Sequence, residues 1–305
     1  MALRVRGNGG RVLARRLRSS VSHVRAAGKL LPETRSGLIG SIPIIVIVLW
    51  ALLPGLFTGH DPVAINPGER LQGPSLAHLL GTDQLGRDLY ARIIYGARPT
   101  IGIALGSSMI SASAGLFLGL FGGYGPRLLD SALLLICDAI VSLPMIIFAL
   151  AVVALVGPSI FGLVLIIVTF SIPVYFRFVR TQAMVLRGTE YVKAARAIGA
   201  SPGFIIARHL LPNVLGPLLI MMAMNIPSVI ALESGLSFLG QGIQPPTPDW
   251  GSMLNDGYSY IRQGTHVIIA GSLPIIFATI GFTFFGEALR DALDPRSSGR
   301  KARDT

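Results

Sequence analysis

The sequence predicts an all-α integral membrane protein of six transmembrane helices. Three observations carry that reading: a composition suited to lipid, six apolar runs of membrane-spanning length, and basic residues gathered in alternate connections. Hydrophobic residues make up 51% of the 305 and charged residues 13%, with a mean hydropathy of +0.64, far more apolar than a soluble domain. The net charge of +11 would suit a nucleic-acid partner. Its residues lie in blocks between the apolar runs, however, so no nucleic acid is expected and membrane topology explains the pattern. The single cysteine, Cys137, sits in an apolar run and excludes an internal disulfide framework or a thiolate metal cluster.

The apolar runs cover residues 38–57, 101–121, 136–156, 160–176, 215–232 and 267–285, close to the length that crosses a hydrocarbon core. A basic arm, residues 1–37, precedes the first run, which is 20 residues long and lacks a small-x-small cleavage site. It therefore reads as a retained anchor in the lipid bilayer. The second run carries small residues at every fourth position, Ser107, Ser111, Gly115, Gly119 and Gly123, a stripe that lets another helix approach closely in lipid. Pro173 in the fourth run, and Asn225 and Pro227 in the fifth, require neighbours that satisfy the hydrogen bonds the helix loses. Of the 26 Lys and Arg residues, 21 fall in the N-terminal arm, the second and fourth connections and the C-terminal tail (288–305). This places both termini in the cytoplasm.

Three connections are too long to be turns. Residues 58–100 hold the turn signals Asn66-Pro67-Gly68 and Gly81-Thr82-Asp83, then a predicted helix over 87–97 that Pro99 ends. They form an external cap. Residues 241–266 make a second external loop. The connection at 177–214 reads as a cytoplasmic helical knob. Thr189 can cap its first helix, Glu190 sits in the first turn and Gly199 can stop it, while Ser201-Pro202 starts a second helix that Leu210-Leu211-Pro212-Asn213 ends.

This knob resembles the cytoplasmic signature loop of bacterial ATP-binding-cassette importer permeases, with Glu190, Ala194, Ala195, Gly199, Leu211 and Pro212 in the matching places. Glu190 stands further from the Ala pair than in the compact form. Three more stretches resemble the second permease subunit of the dipeptide and oligopeptide family. They are Leu80-Gly81-Thr82-Asp83-Gln84-Leu85-Gly86-Arg87-Asp88-Leu89, Glu233-Ser234-Gly235-Leu236-Ser237-Phe238-Leu239-Gly240 running into Gln244-Pro245-Pro246-Thr247-Pro248-Asp249-Trp250-Gly251, and Leu289-Arg290-Asp291-Ala292-Leu293-Asp294-Pro295-Arg296. Ser234, Gln241 and the long basic arm depart from the family pattern.

The resemblance implies a type I importer permease fold with its core at 101–287, set in the cell (plasma or inner) membrane, and an importer of dipeptides or oligopeptides; nickel, haem or modified peptides are the alternative cargoes. It implies a heterodimer with a homologous permease, two cytoplasmic ATPase subunits or one fused pair, and an external substrate-binding protein. ATP and magnesium would belong to the ATPase subunits, and this chain is expected to hold no cofactor or metal and to be no enzyme. Residues 190–212 would couple to the ATPase. Asn225, Pro227 and Ser228, polar or helix-breaking at mid-depth, are expected to line the translocation route. Asp83, Arg87, Asp88, Pro245, Asp249 and Trp250 are the candidates for docking the binding protein, and Asp83, Arg87 and Asp88 equally for pairing with one another.

The absence of a Gly-x-x-x-x-Gly-Lys phosphate loop agrees with a chain that supplies no ATP chemistry, since Gly28-Lys29 is followed by Leu30. Two other function classes fit the residues less well. An ion-coupled transporter would need ionisable groups near mid-membrane, and Asp138, Glu233 and Glu287 fall near predicted span ends. An intramembrane hydrolase would need a catalytic cluster, and His23, His60, His78, His209 and His266 lie outside the predicted spans without ligand spacing.

Overall fold

The computed structural model describes residues 35–293. Most of the basic arm and the end of the 289–296 motif lie outside them. Among the described residues the secondary structure is helical, apart from one antiparallel bridge between Thr82 and Asp88. Helix α1 (Arg35–Leu52) lies against α10 (Thr265–Leu293), where the missing side chains of Gly40 and Gly281 admit Phe285 and Pro43. Helix α2 runs unbroken over Leu89–Tyr124, capped by the Asp88 carboxylate, which accepts the Ala91 N–H at 2.6 Å. The predicted stop at Pro99 therefore does not occur: Pro99 lies inside α2, as proline can in membrane helices whose neighbours satisfy the backbone.

The small-residue stripe of α2 packs on α5 (Ile160–Arg187). A Cβ at Gly119 would lie 2.6 Å from Val179 Cβ, and one at Gly123 would lie 2.6 Å from the Arg180 carbonyl oxygen. Gly115 faces Tyr175 in the same seam. Helix α5 is longer than the predicted fourth span, so Arg177 and Arg180 stand on a helix. They pair with Asp138 and Asp130 of α3 (Arg127–Ser142).

The predicted third span, 136–156, is not one helix. It is broken between α3 and α4 (Met145–Val156) with a bend of 87°. Leu143 precedes Pro144 and takes an extended conformation, φ −81° and ψ 131°, as a residue before proline does. Among the described residues, four helices are long and apolar enough to cross a membrane, or five if the bent pair is one span, and α1 contributes the shorter apolar stretch Gly37–Leu52. The expected count of six is not confirmed by length and composition.

After the short α6 (Glu190–Ala197), the chain runs continuously from α7 (Pro202–Ile205) through a π-turn (Ile206–Leu210) into α8 (Leu211–Phe238). The predicted end at Pro212 is thus a joint. Leu211 N–H reaches back five residues to the Ile206 carbonyl, widening the turn where Pro212 withholds its own N–H. Helix α9 (Trp250–Ser259) packs on α10 through Gly257 and Gly271. One buried cluster at the bundle centre gathers Ile166, Ile230 and Trp250, and another joins the knob to α5 and α8 through Val179, Val192, Ile205 and Val214.

Candidate functional site

The knob is built by local capping. Gly199 has φ +80°, its N–H bonds the Arg196 carbonyl at 3.0 Å, and Ala200 N–H bonds the Ala195 carbonyl at 3.1 Å. This is the paired closure that a left-handed glycine allows at a helix end. Ser201 then caps the next helix, its hydroxyl accepting the Phe204 N–H at 3.3 Å. Thr189 holds the N-cap position of α6 without capping it, because its hydroxyl donates to the Leu186 carbonyl at 2.6 Å. Glu190 pairs with Lys193 at 2.8 Å on the exposed face, a contact worth little on its own.

The two alanines divide. Ala195 is buried with Val192 against the bundle, whereas Ala194 and Gly199 are exposed. Leu211 and Pro212 are half-buried at the root. Ile198, at the corner, is 85% exposed, and Phe204, in the helix that follows, is 54% exposed. Tyr124, at the end of α2, receives the guanidinium groups of Arg196 and Arg187 at 5.3 and 5.9 Å from its ring centre. Sequence reasoning did not single out Ile198 or Tyr124; for Ile198 the signal was a large apolar residue directly before the corner glycine.

Above the knob, a cavity of about 470 Å³ opens between α5, α8 and α10, lined among others by Phe178, Gln182, Met221, Met224, Asn225 and Arg290. Asn225 Nδ2 donates to the Tyr175 hydroxyl at 3.3 Å. Of the three residues expected along a route, Asn225 lines this cavity, Ser228 is exposed and Pro227 is buried. Gln182 and Arg290 join Asn225 there from other helices, which no linear pattern announces.

At the opposite end lies the cap. Asp83 is its hub: it accepts the Leu85 and Arg87 N–H groups at 2.8 and 3.0 Å and Arg87 Nε at 2.5 Å, with Arg92 Nε at 3.6 Å. Asp249 caps α9 through the Ser252 N–H at 2.9 Å and accepts the Thr100 hydroxyl at 3.2 Å. Trp250 Nε1 donates to the Ile93 carbonyl at 2.9 Å. His78 lies between Asp88 at 2.8 Å and Glu69 at 3.3 Å, and its hydrogen bond to Asp88 is the main reason its imidazole is held above its ordinary pKa. Of the six residues expected in docking, Asp83, Arg87, Asp88, Asp249 and Trp250 are buried within the chain and Pro245 is exposed.

The three carboxylates considered for ion coupling are scattered. Asp138 pairs with Arg177 at 2.7 Å on the surface, and Glu287 is exposed. Glu233 is fully buried, accepting hydroxyls from Ser234 and Ser237 at 3.1 and 3.3 Å.

Residues 115–299 match the family described as the binding-protein-dependent transport system inner membrane component. The chain is 36% identical to the dipeptide transport system permease protein DppC of Alkalihalophilus pseudofirmus, covering 91% of each chain. It is 38% identical to the glutathione transport system permease protein GsiD of Pectobacterium atrosepticum, covering 83% of each. With the probable D,D-dipeptide transport system permease protein DdpC of Escherichia coli it shares 36% identity, over 86% of this chain and 88% of the relative. Its fold resembles a chain of the MetNI methionine ABC transporter in an inward-facing conformation, with a TM-score of 0.54 and 17% identity over 67% of this chain and 96% of that one. The chain therefore belongs to the binding-protein-dependent transport system inner membrane components, and is a permease subunit of an ATP-binding-cassette importer.

Proposed function

We propose that this permease imports short peptides, paired with a homologous permease, driven by two cytoplasmic ATPase subunits or one fused pair that hold the ATP and magnesium, and supplied by an external binding protein. Both termini and the knob then face the cytoplasm. Peptide cargo, rather than nickel or haem, is supported by the names of the relatives.

The single observation that carries the reading is the knob. Its apolar Ile198 and Phe204 are exposed on a capped corner whose other face is packed into the bundle. Burying an isoleucine side chain in a partner's groove contributes about 1.5–3 kcal/mol, and Ala194 leaves room for close approach. Because α5 leads into the knob and α7 continues out of it into α8, a rigid-body displacement of the knob reaches the helices that line the cavity. Asn225, Gln182 and Arg290 would offer polar contacts to a peptide backbone there. Ser228 is exposed and is assigned to the partner-facing route, with Pro227 shaping the helix behind it. At the cap, the buried ion pairs of Asp83 and Arg87 and the anchors Asp249 and Trp250 would hold the docking surface in shape, with Pro245 presented to the binding protein.

Ile198→Asp in the co-expressed transporter tests the reading. The exposed site leaves the bundle intact, so the permease is expected at normal yield while the ATPase subunits no longer co-purify and peptide uptake is lost. Normal co-purification together with normal uptake would contradict it.

A further inference from the structure

We infer that His60, His78 and Asp88 form a divalent-cation site on the cap, suited to Zn²⁺ or an ion of similar ligand preference. One potential ligand atom from each of the three lies within 4.8 Å of the others. Two imidazoles and one carboxylate are a zinc-type donor set that leaves a fourth position open to water. Ligand atoms about 2 Å from a tetrahedral ion stand roughly 3.3 Å apart, so closure requires His60 to move inward by up to about 1.5 Å and the His78–Asp88 pair, now at 2.8 Å, to open by about 0.5 Å. His60 is exposed and free to turn, and its ring already meets that of His78 edge-on at 5.1 Å.

The other two groups are preorganised. Asp88 Oδ1 accepts the Ala91 N–H at 2.6 Å, which leaves Oδ2 beside His78 Nδ1 at 2.8 Å. An ion would replace the proton shared there, and so binds more tightly as protons become scarce. His78 Nε2 faces Glu69 Oε2 at 3.3 Å, and Asn66 Nδ2 donates to that same oxygen at 2.7 Å. This is the outer hydrogen bond that orients a metal-bound imidazole. The ligands come from three segments, the stretch after α1, the cap loop and the N-cap of α2, so a bound ion would tie the first helix's exit to the start of the second.

The test uses the full chain purified in detergent without a polyhistidine tag. Zinc is titrated against a chromogenic chelator and thermal unfolding is followed with and without zinc. One zinc per chain and a higher melting point with zinc are expected. His60→Ala, at an exposed side chain, and Asp88→Asn, which keeps a capping oxygen, should each weaken zinc binding at least about tenfold and abolish the zinc-dependent rise. No stoichiometric binding at micromolar zinc, or either variant binding as tightly as the wild type, would overturn the proposal.

Discussion

Substituting Gly119 with alanine tests whether the seam between α2 and α5 leaves no room for a side chain. The added methyl carbon would lie 2.6 Å from Val179 Cβ, 2.8 Å from Val179 Cγ1 and 2.9 Å from the Arg180 backbone nitrogen. Two of these neighbours, a Cβ and a backbone atom, cannot rotate away, so the helices must separate. Overpacking of this kind costs about 1–3 kcal/mol, a factor of roughly 5 to 140 in the folding equilibrium. A Cβ added at Gly106, on the same helix, would meet nothing within 4 Å, so Gly106→Ala supplies the control and gains the helix propensity of alanine. Thermal unfolding of the purified variants in detergent should show Gly119→Ala several degrees below the wild type and Gly106→Ala at or above it. Equal melting points for the two would refute the packing argument.

Asp83→Ala leaves Arg87 and Arg92 buried beside a missing carboxylate; a loss of about 3–5 kcal/mol should appear as reduced yield and a lower melting point, before any docking assay. Cysteines placed along α8 should react with a polar thiol reagent at Met224, Ser228 and Ala231, which are exposed, and not at Ile226, Val229 or Ile230, which are buried. Trp250→Phe removes the indole donor to the Ile93 carbonyl and should lower stability by about 1 kcal/mol, read by the same melting assay. Gly199→Trp places a side chain at φ +80°, a strain of roughly 1–2 kcal/mol; membrane insertion should persist in a fractionation assay, while peptide uptake per ATP hydrolysed falls.

Much of this was legible in the sequence because the signals are local. Gly199 and Ser201 need only their own neighbours to close and cap, and the stripe from Ser107 to Gly123 announces a close helix contact without naming its partner, α5. The errors share a cause as well. Pro99, Pro144 and Pro212 look alike in sequence, yet Pro99 lies within a helix, Pro144 turns the chain by 87° and Pro212 follows a π-turn. What surrounds each proline decides between these outcomes, and a linear pattern does not record it. The same limit applies to the cap. Asp83, Arg87 and Trp250 read as docking candidates because their burial depends on α2, α9 and α10 meeting there. It applies equally to His60 and His78, whose proximity no spacing rule predicts.

Transport in proteoliposomes tests the importer reading most directly. The vesicles would contain this chain, its partner permease and the ATPase subunits, with the binding protein and a labelled dipeptide added on the side where the cap is exposed. Accumulation should require ATP on the knob side, persist in the presence of a protonophore and be lost with Ile198→Asp. Accumulation that proceeds without ATP and collapses with the protonophore would contradict an ATP-driven importer coupled through the knob.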